Sequence, residues 1–386
     1  MIKIFFQCLL LTAGIVFILE EKSFSQVNAD SSWWRKNISV GLYNLNYLRD
    51  YEYFSPIMEG YTLCGSIVQP TIVYKPSTHI EFRGGVFIQQ NFGDDSLRVR
   101  PTFLLTVMNS SNDFSFGNYR NEDGHQLIEP LWFTDNLITE NTENGFNFKQ
   151  KFNRLELDNW IDWNRAIIKG SDFQEKVFGG LTATIFPLRN SNHKLTFPIQ
   201  ACIQHTGGQI NKPDTSFFVT TILNADAGIK SKLKNRNTNN FISEFSAEAY
   251  YVFYKEFSPN PHLQFSEGNG IWALIKLKSK TGIAIEMAYW QGTNFISPKG
   301  NTLMQSTSSV YPENNYTEKQ RNLIFLTVKY ENEIASHVRL LFSGEPYYDM
   351  KNKLLEYGIH LHLIFTFNEV NHLPAGKFKP RKIIDP

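Results

Sequence analysis

The sequence predicts an all-β chain: a transmembrane antiparallel β-barrel of about 16 strands, with 14 or 18 also compatible, carrying long extracellular loops and short periplasmic turns. Three observations lead there. The first is alternation, clearest in Leu354–Phe367, LLEYGIHLHLIFTF. Tyr357, Ile359, Leu361, Leu363, Phe365 and Phe367 fall on one face. Glu356, Gly358, His360, His362 and Thr366 fall on the other, with Ile364 the apolar exception. Strand side chains repeat every two residues, so one face is apolar and the other wet. The second is an export signal followed by no stretch near the roughly 18 apolar residues that a membrane helix needs. The third is a rhythm of short and long connections from residue 173 onward, as periplasmic turns and outer loops produce.

Residues 1–25 read as a secretory signal peptide. Lys3 supplies a positive start, Phe5–Leu19 an apolar stretch, and Ser23-Phe24-Ser25 a small-x-small cleavage site before Gln26. Cys8 lies inside the apolar stretch and not after it, which argues against a lipoprotein. Residues 26–367 are assigned to one barrel domain and 368–386 to a C-terminal tail. Aromatic residues make up 15% of the chain, yet mean hydropathy is only -0.30. That pairing suits strands that bury one face in lipid and wet the other.

The strands then follow in order. The first seven are expected at 37–48, 62–75, 79–90, 97–108, 113–119, 125–133 and 145–157. Segments 79–90, 97–107, 241–257, 282–291 and 321–331 repeat the alternation, with Ile283, Ile285, Met287 and Tyr289 set against Ala284, Glu286 and Ala288 in one of them. Charges in mid-strand and on one face predict a polar lumen. The stretch 292–320, rich in Ser, Thr and Asn, reads as a long structureless loop on the outer face.

Asp158–Gly170, DNWIDWNRAIIKG, breaks the rhythm. Trp160, Trp163 and Ile167 recur at i, i+3 and i+7, Asp158 can cap a start and Gly170 an end, so a short helix is expected. With Asp158, Asp162 and Arg165 beside Trp160 and Trp163, such a helix would narrow a pore mouth. The plainer alternative is a loop helix whose tryptophans only pack. By parity Glu81, Arg83, Arg98 and Arg100 face the lumen on neighbouring strands, and are expected to form one charged cluster. The plainer alternative is salt-linked wall residues.

His125, Glu129, His205, His360 and His362 are the titratable candidates. His360 and His362 share a face, but no third ligand stands at a telling spacing. No P-loop, G-x-G-x-x-G, H-E-x-x-H or G-x-S-x-G element is present, so no cofactor, metal or catalytic residue is assigned. Cys64 and Cys202 both read as wet-side residues, open to one disulfide or to two free thiols. A net charge of +1 gives no reason to expect nucleic acid.

With the signal peptide, alternation across 37–367, alternating loops and a last strand ending at Phe367, the chain resembles bacterial outer-membrane β-barrels, and general porins in size. Typical members end on that aromatic, whereas here residues 368–386 follow it. The resemblance implies the outer membrane of a Gram-negative cell and lipid and lipopolysaccharide as neighbours. It implies first a passive transport pore for small hydrophilic solutes, with a homo-oligomer compatible. The alternatives are a barrel enzyme acting on lipid or lipopolysaccharide, which a Ser-His pair would favour, and a closed barrel that binds surface polysaccharide or serves an export complex, which a plugged lumen would favour.

Overall fold

Each strand of the computed structural model hydrogen-bonds to its neighbours in sequence, and the first closes on the last. The structure describes residues 37–369 apart from 191, 208–217, 236–239 and 311–315. The segments expected to be a signal peptide and, for the most part, a tail lie outside them. The strands are β1 Ile38–Phe54, β2 Glu59–Ser77, β3 Ile80–Asn91, β4 Leu97–Met108, β5 Asn112–Arg120, β6 Thr142–Lys151, β7 Leu155–Arg165 and β8 Glu175–Arg189. They continue as β9 His193–Gly207, β10 Thr220–Lys234, β11 Ile242–Glu256, β12 Glu267–Ser279, β13 Ile283–Thr293, β14 Gln320–Ala335, β15 Val338–Asp349 and β16 Leu354–Glu369. All pairings are antiparallel, and β1 seals against β16 from Val40↔Glu369 to Glu52↔Tyr357. Closure leaves no edge strand, as a lipid-embedded sheet requires.

The alternation sorts as expected. Tyr357, Ile359, Leu361 and Leu363 are 38–48% exposed and point outward, while Glu356, His360 and His362 are buried inside. Phe253, Ile271, Ile275, Ile285, Met287 and Leu326 continue the outer apolar surface. In the short-turn half the inner face carries cross-strand ion pairs: Lys230–Glu248 at 2.8 Å, Lys232–Glu244 at 2.7 Å and Lys276–Glu286 at 2.9 Å. Those turns are tight. Gly282 between β12 and β13 has φ +89°, and a Cβ there would lie 2.3 Å from the Glu331 carbonyl oxygen.

Several expectations need correction. Residues 125–133 are not a strand: Gly124, His125 and Gln126 have φ of 55°, 55° and 58°, which turns the chain inward. Asp158–Gly170 is not a helix. Its first eight residues belong to β7, which sends Asp158, Trp160 and Asp162 inward and Ile161 and Trp163 outward. The helical spacing of Trp160, Trp163 and Ile167 is incidental, because both faces of β7 bear aromatics. The two errors offset each other, so the strand total stands.

The Glu81, Arg83, Arg98, Arg100 cluster does not form. Glu81 lies opposite Thr106 and Arg98 opposite Gln89. Eight residues of strand part them, about 26 Å at 3.3 Å per residue. Cys64 and Cys202 are free. Cys64 lies opposite Leu48 on the outer face, whereas Cys202 is buried inside, so they stand on opposite sides of the wall.

Candidate functional site

The long-loop half of the lumen is filled by the chain itself. Two connections fold inward. One runs from Asn121 to Asn141 between β5 and β6, with a 3-10 turn at Gly124–Gln126 and a short helix, α1, at Asn136–Thr139. The other runs from Asn294 to Lys319 between β13 and β14, with a 3-10 turn at Thr302–Met304 that Asn301 caps by accepting from the Leu303 amide at 3.0 Å. Leu131, Phe295, Leu303 and Met304 in these loops are almost wholly buried against Trp160, Phe178, Tyr254, Trp290 and Leu323 of the wall. An apolar core inside a barrel has one physical cause here: the loops bring their own side chains to cover inward tryptophans that water would otherwise meet.

The loops hold each other. The Phe133 amide donates to the Lys299 carbonyl at 2.7 Å, the Asn301 amide donates to the Glu129 carbonyl at 3.1 Å, and Lys299 pairs with Glu140. Gly300 passes so near that a Cβ would lie 1.9 Å from the Pro130 carbonyl oxygen. The wall holds both. Gln200 Oε1 accepts from the Ile128 amide at 3.0 Å, and its Nε2 donates to the Gln126 carbonyl at 2.6 Å. Asn224 donates to the Ile296 carbonyl at 2.7 Å and Trp290 to the Met304 carbonyl at 2.9 Å. Arg321 is wholly buried. It donates twice to the Leu303 carbonyl and pairs with Glu318 at 2.6 Å and Asp349 at 2.7 Å. Inward polar residues here partner loop backbone and do not line an open channel.

Four titratable sites stand out. Asp135 accepts from the Arg49 guanidinium, from the Tyr51 hydroxyl at 2.7 Å and from the Tyr61 hydroxyl, which moors α1 to β1 and β2. His125 is held between Glu143 at 2.9 Å and Asp158 at 3.1 Å, and its ring stacks on Trp160 at 3.8 Å. Burial works against its charge, but the two carboxylates prevail and raise its pKa to about 10. At neutral pH it is an imidazolium donating to both acids, which makes it a tie and a poor base. Ser343, His360 and Glu345 meet lower down: the serine hydroxyl lies 3.3 Å from His360 Nδ1, and Glu345 lies 3.3 Å from that same nitrogen. A hydrolytic relay needs nucleophile and acid on opposite ring nitrogens, so this is a polar contact and not a triad. In the second loop's partner Glu129, burial raises the carboxyl to about 7.

Of the residues singled out by sequence, Asp158, Trp160 and Asp162 share the inner face of β7. Asp158 also meets Lys149 at 3.4 Å, and Asp162 accepts from the Asn144 amide at 2.8 Å. Trp163 faces outward near Phe146, and Arg165 caps the strand end over the Phe173 ring at 4.0 Å. Glu81 pairs locally with Lys75 at 2.8 Å and Arg83 at 2.7 Å, while Arg98 and Arg100 are exposed further along the wall. Arg49, Asp135, Gln200 and Arg321 went unremarked. Their signal was the apolar pairs Phe295-Ile296 and Leu303-Met304 inside a polar loop, which a solvent-exposed loop does not need.

Fold and lumen together define a bacterial outer-membrane β-barrel whose long-loop half is plugged by its own connections. Residues 27–370 match the lipid A 3'-O-deacylase-type family, and the chain belongs to it. No curated protein matches the sequence. Among solved structures, a loop L8 deletion mutant of OmpT, an outer membrane protein of Vibrio cholerae, is similar at TM-score 0.52 and 10% identity, covering 86% of this chain and 100% of that one. OmpT of Vibrio cholerae in its trimer form reaches 0.51 at 8% identity over 86% and 100%. The outer membrane protein OprD from Pseudomonas aeruginosa reaches 0.50 at 11% identity over 90% and 100%. At such identities the likeness speaks to fold alone.

Proposed function

We propose that the protein is a closed barrel that works on lipid of the outer leaflet, with an ester-linked acyl chain of lipid A as its substrate class, and is not a passive pore. The observation that carries the closed reading is the plug. Loop residues with no water access fill the lumen, tied to β1, β9, β10, β13 and β14 by the bonds above. Family membership supports lipid A as the ligand. Hydrolysis would add water across the acyl ester, freeing a fatty acid and leaving a sugar hydroxyl. None of the described clusters joins a nucleophile, a base and open access, so the reading assigns a ligand class and no catalytic residue.

Lipid A from cells with and without the protein, compared by mass spectrometry, tests the chemistry. One acyl chain fewer is expected, and identical lipid A overturns hydrolysis. Planar-bilayer conductance tests closure. The wet short-turn half favours a solute pore as the second reading, and that reading requires steady channels from the parent protein. We expect silence from the parent, and channels once Ile296–Glu318 is replaced by a short Gly/Ser turn.

A further inference from the structure

Closure gives every strand two neighbours, but β4 and β5 part before their ends. Their ladder runs from Met108↔Asp113 to Leu104↔Gly117 and stops there. Toward the long-loop end β4 continues through Leu97–Phe103 and β5 through Asn118–Arg120 without pairing. Two glycines sit at the parting. Gly117 of β5 pairs with Gly145 of β6. A Cβ on either would lie 2.1 Å from a carbonyl oxygen of the strand flanking the hairpin, Phe103 for Gly117 and Ile161 for Gly145. Gly117 also has φ +127°, which residues with a side chain rarely adopt. Beyond this pair the hairpin tip bends into the lumen, where Arg120 reaches the Tyr43 ring of β1 at 3.4 Å. Side chains bridge the gaps in place of the ladder. Asn118 Oδ1 accepts from the Phe103 amide at 3.1 Å, Asp162 accepts from the Asn144 amide at 2.8 Å, and Asn118 Nδ2 donates to Asn144 Oδ1 at 2.6 Å.

The end of β4 is therefore open on one side. The Phe103 amide points toward β5, so the backbone of Val99 and Leu97 points the same way and finds no ladder partner. Pro101, between them, has no amide to leave unpaired. Leu97, Val99 and Phe103 face outward and are 54–56% exposed, more than the outward residues of β16, because a flanking strand is missing. Open sheet edges do not stand in hydrocarbon, so polar groups from outside the chain must meet this one. Arg98 and Arg100 lie on the same stretch with the opposite parity, across from Gln89 and Phe87 of β3, and both are exposed. Lys230, Lys232, Lys276, Arg49 and Arg321 each hold a carboxylate, whereas among the described residues Arg98 and Arg100 hold none. Asp94 in the adjacent turn is the nearby acid, and its two oxygens accept from the Ser96 amide at 2.9 Å and the Ser96 hydroxyl at 2.6 Å.

We propose that this notch binds the phosphorylated headgroup of an outer-leaflet lipid, with Arg98 and Arg100 on the phosphate and an acyl chain along Leu97, Val99 and Phe103. Two unpaired guanidinium groups select an anion, and their planar forks match phosphate oxygens. The apolar rim selects an anion that carries a hydrocarbon tail. The amides of Leu97 and Val99 remain for sugar or ester oxygens of the headgroup. The inference rests on the reading above for lipid A as the ligand, and adds where the wall holds it.

The full chain in neutral detergent, titrated and followed by native mass spectrometry, should retain one lipid A that carries its phosphates. Arg98→Gln/Arg100→Gln should weaken that binding by roughly tenfold or more, since a hydrogen bond to a charged group counts for about that much. Arg98→Lys/Arg100→Lys should keep most of it. Lipid A stripped of its phosphates should bind the parent more weakly, a comparison that needs no variant, and should not distinguish parent from the Gln variant. Heat-modifiable migration checks that each variant is an intact barrel. Equal binding of phosphorylated lipid A by parent and Gln variant overturns the proposal. So does a parent that retains no lipid A, a parent indifferent to the phosphates, or displacement of lipid A by an equal concentration of inorganic phosphate, which would make this a site for free anions. Hydrolysis stands or falls separately. Lipid A retained through Arg98 and Arg100 with every acyl chain in place supports the notch and removes hydrolysis. Acyl loss that Arg98→Gln/Arg100→Gln leaves untouched keeps hydrolysis and removes the notch.

Discussion

Replacing Asp135 by alanine should loosen the plug where it meets the seam of the barrel. Asp135 is 4% exposed and Arg49 5%. The carboxylate takes the Arg49 guanidinium and two tyrosine hydroxyls, and the other partners of Arg49 are neutral: Thr134 Oγ1 at 2.9 Å and His362 Nε2 at 3.1 Å. Asp135→Ala therefore removes the one carboxylate bonded to a guanidinium where water does not reach, and leaves it the unbonded Glu345 as its remaining counter-charge. Breaking one side of a buried ion pair costs about 3–5 kcal/mol. Stranding the Tyr51 and Tyr61 hydroxyls adds about 1 kcal/mol each, which places the loss toward the upper end. Arg49→Met/Asp135→Leu removes both charges and should recover most of the loss, because apolar replacements of a buried pair are near neutral. Denaturant unfolding of the refolded barrel in micelles, followed by tryptophan fluorescence, measures all three variants. In bilayers the single variant should flicker open while the double variant stays silent. A single-variant loss below about 1 kcal/mol would mean a solvent-screened pair and a plug held elsewhere.

Leu361→Arg should cost about 2–4 kcal/mol, since Leu361 faces lipid, whereas Lys230→Ala on the inner wall should cost no more than about 1 kcal/mol; the reverse order in unfolding titrations would misplace the two faces. His125→Phe should flatten the pH dependence of stability. The folded pKa of His125, about 10, stands above its ordinary 6.5, so its contribution is full below pH 6.5 and lost as pH rises through about 10. Parent and variant should therefore differ in slope across that window and run parallel below it. Trp160→Ala should cost about 3–5 kcal/mol and unstack His125, read as a lowered midpoint with loss of near-ultraviolet signal.

Where the alternation is regular, as in Leu354–Phe367, sequence alone determined which residues meet lipid and which do not. That information is local: a period of two along each strand forces Leu361 and His360 to opposite faces whatever the rest of the chain does. The number of strands, the closed wall and the long-loop end followed from the same pattern and from turn lengths. It could not decide what the inward face meets. An inward Gln200, Asn224 or Arg321 has the same alternation whether it touches water or a loop backbone some 70 residues away for Gln200 and Asn224, so a polar face read as a wet lumen. The tertiary structure decided that, because desolvation depends on what else occupies the space. It also turned Asp158–Gly170 from a helix at a pore mouth into β7, so excising Asn159–Lys169 would remove wall and not widen a channel. His125 shows the same limit in one residue. Its sequence neighbours, Gly124 and Gln126, say nothing of Glu143, Asp158 and Trp160, which β6 and β7 bring around one ring, nor of the two carboxylates among them that hold its charge.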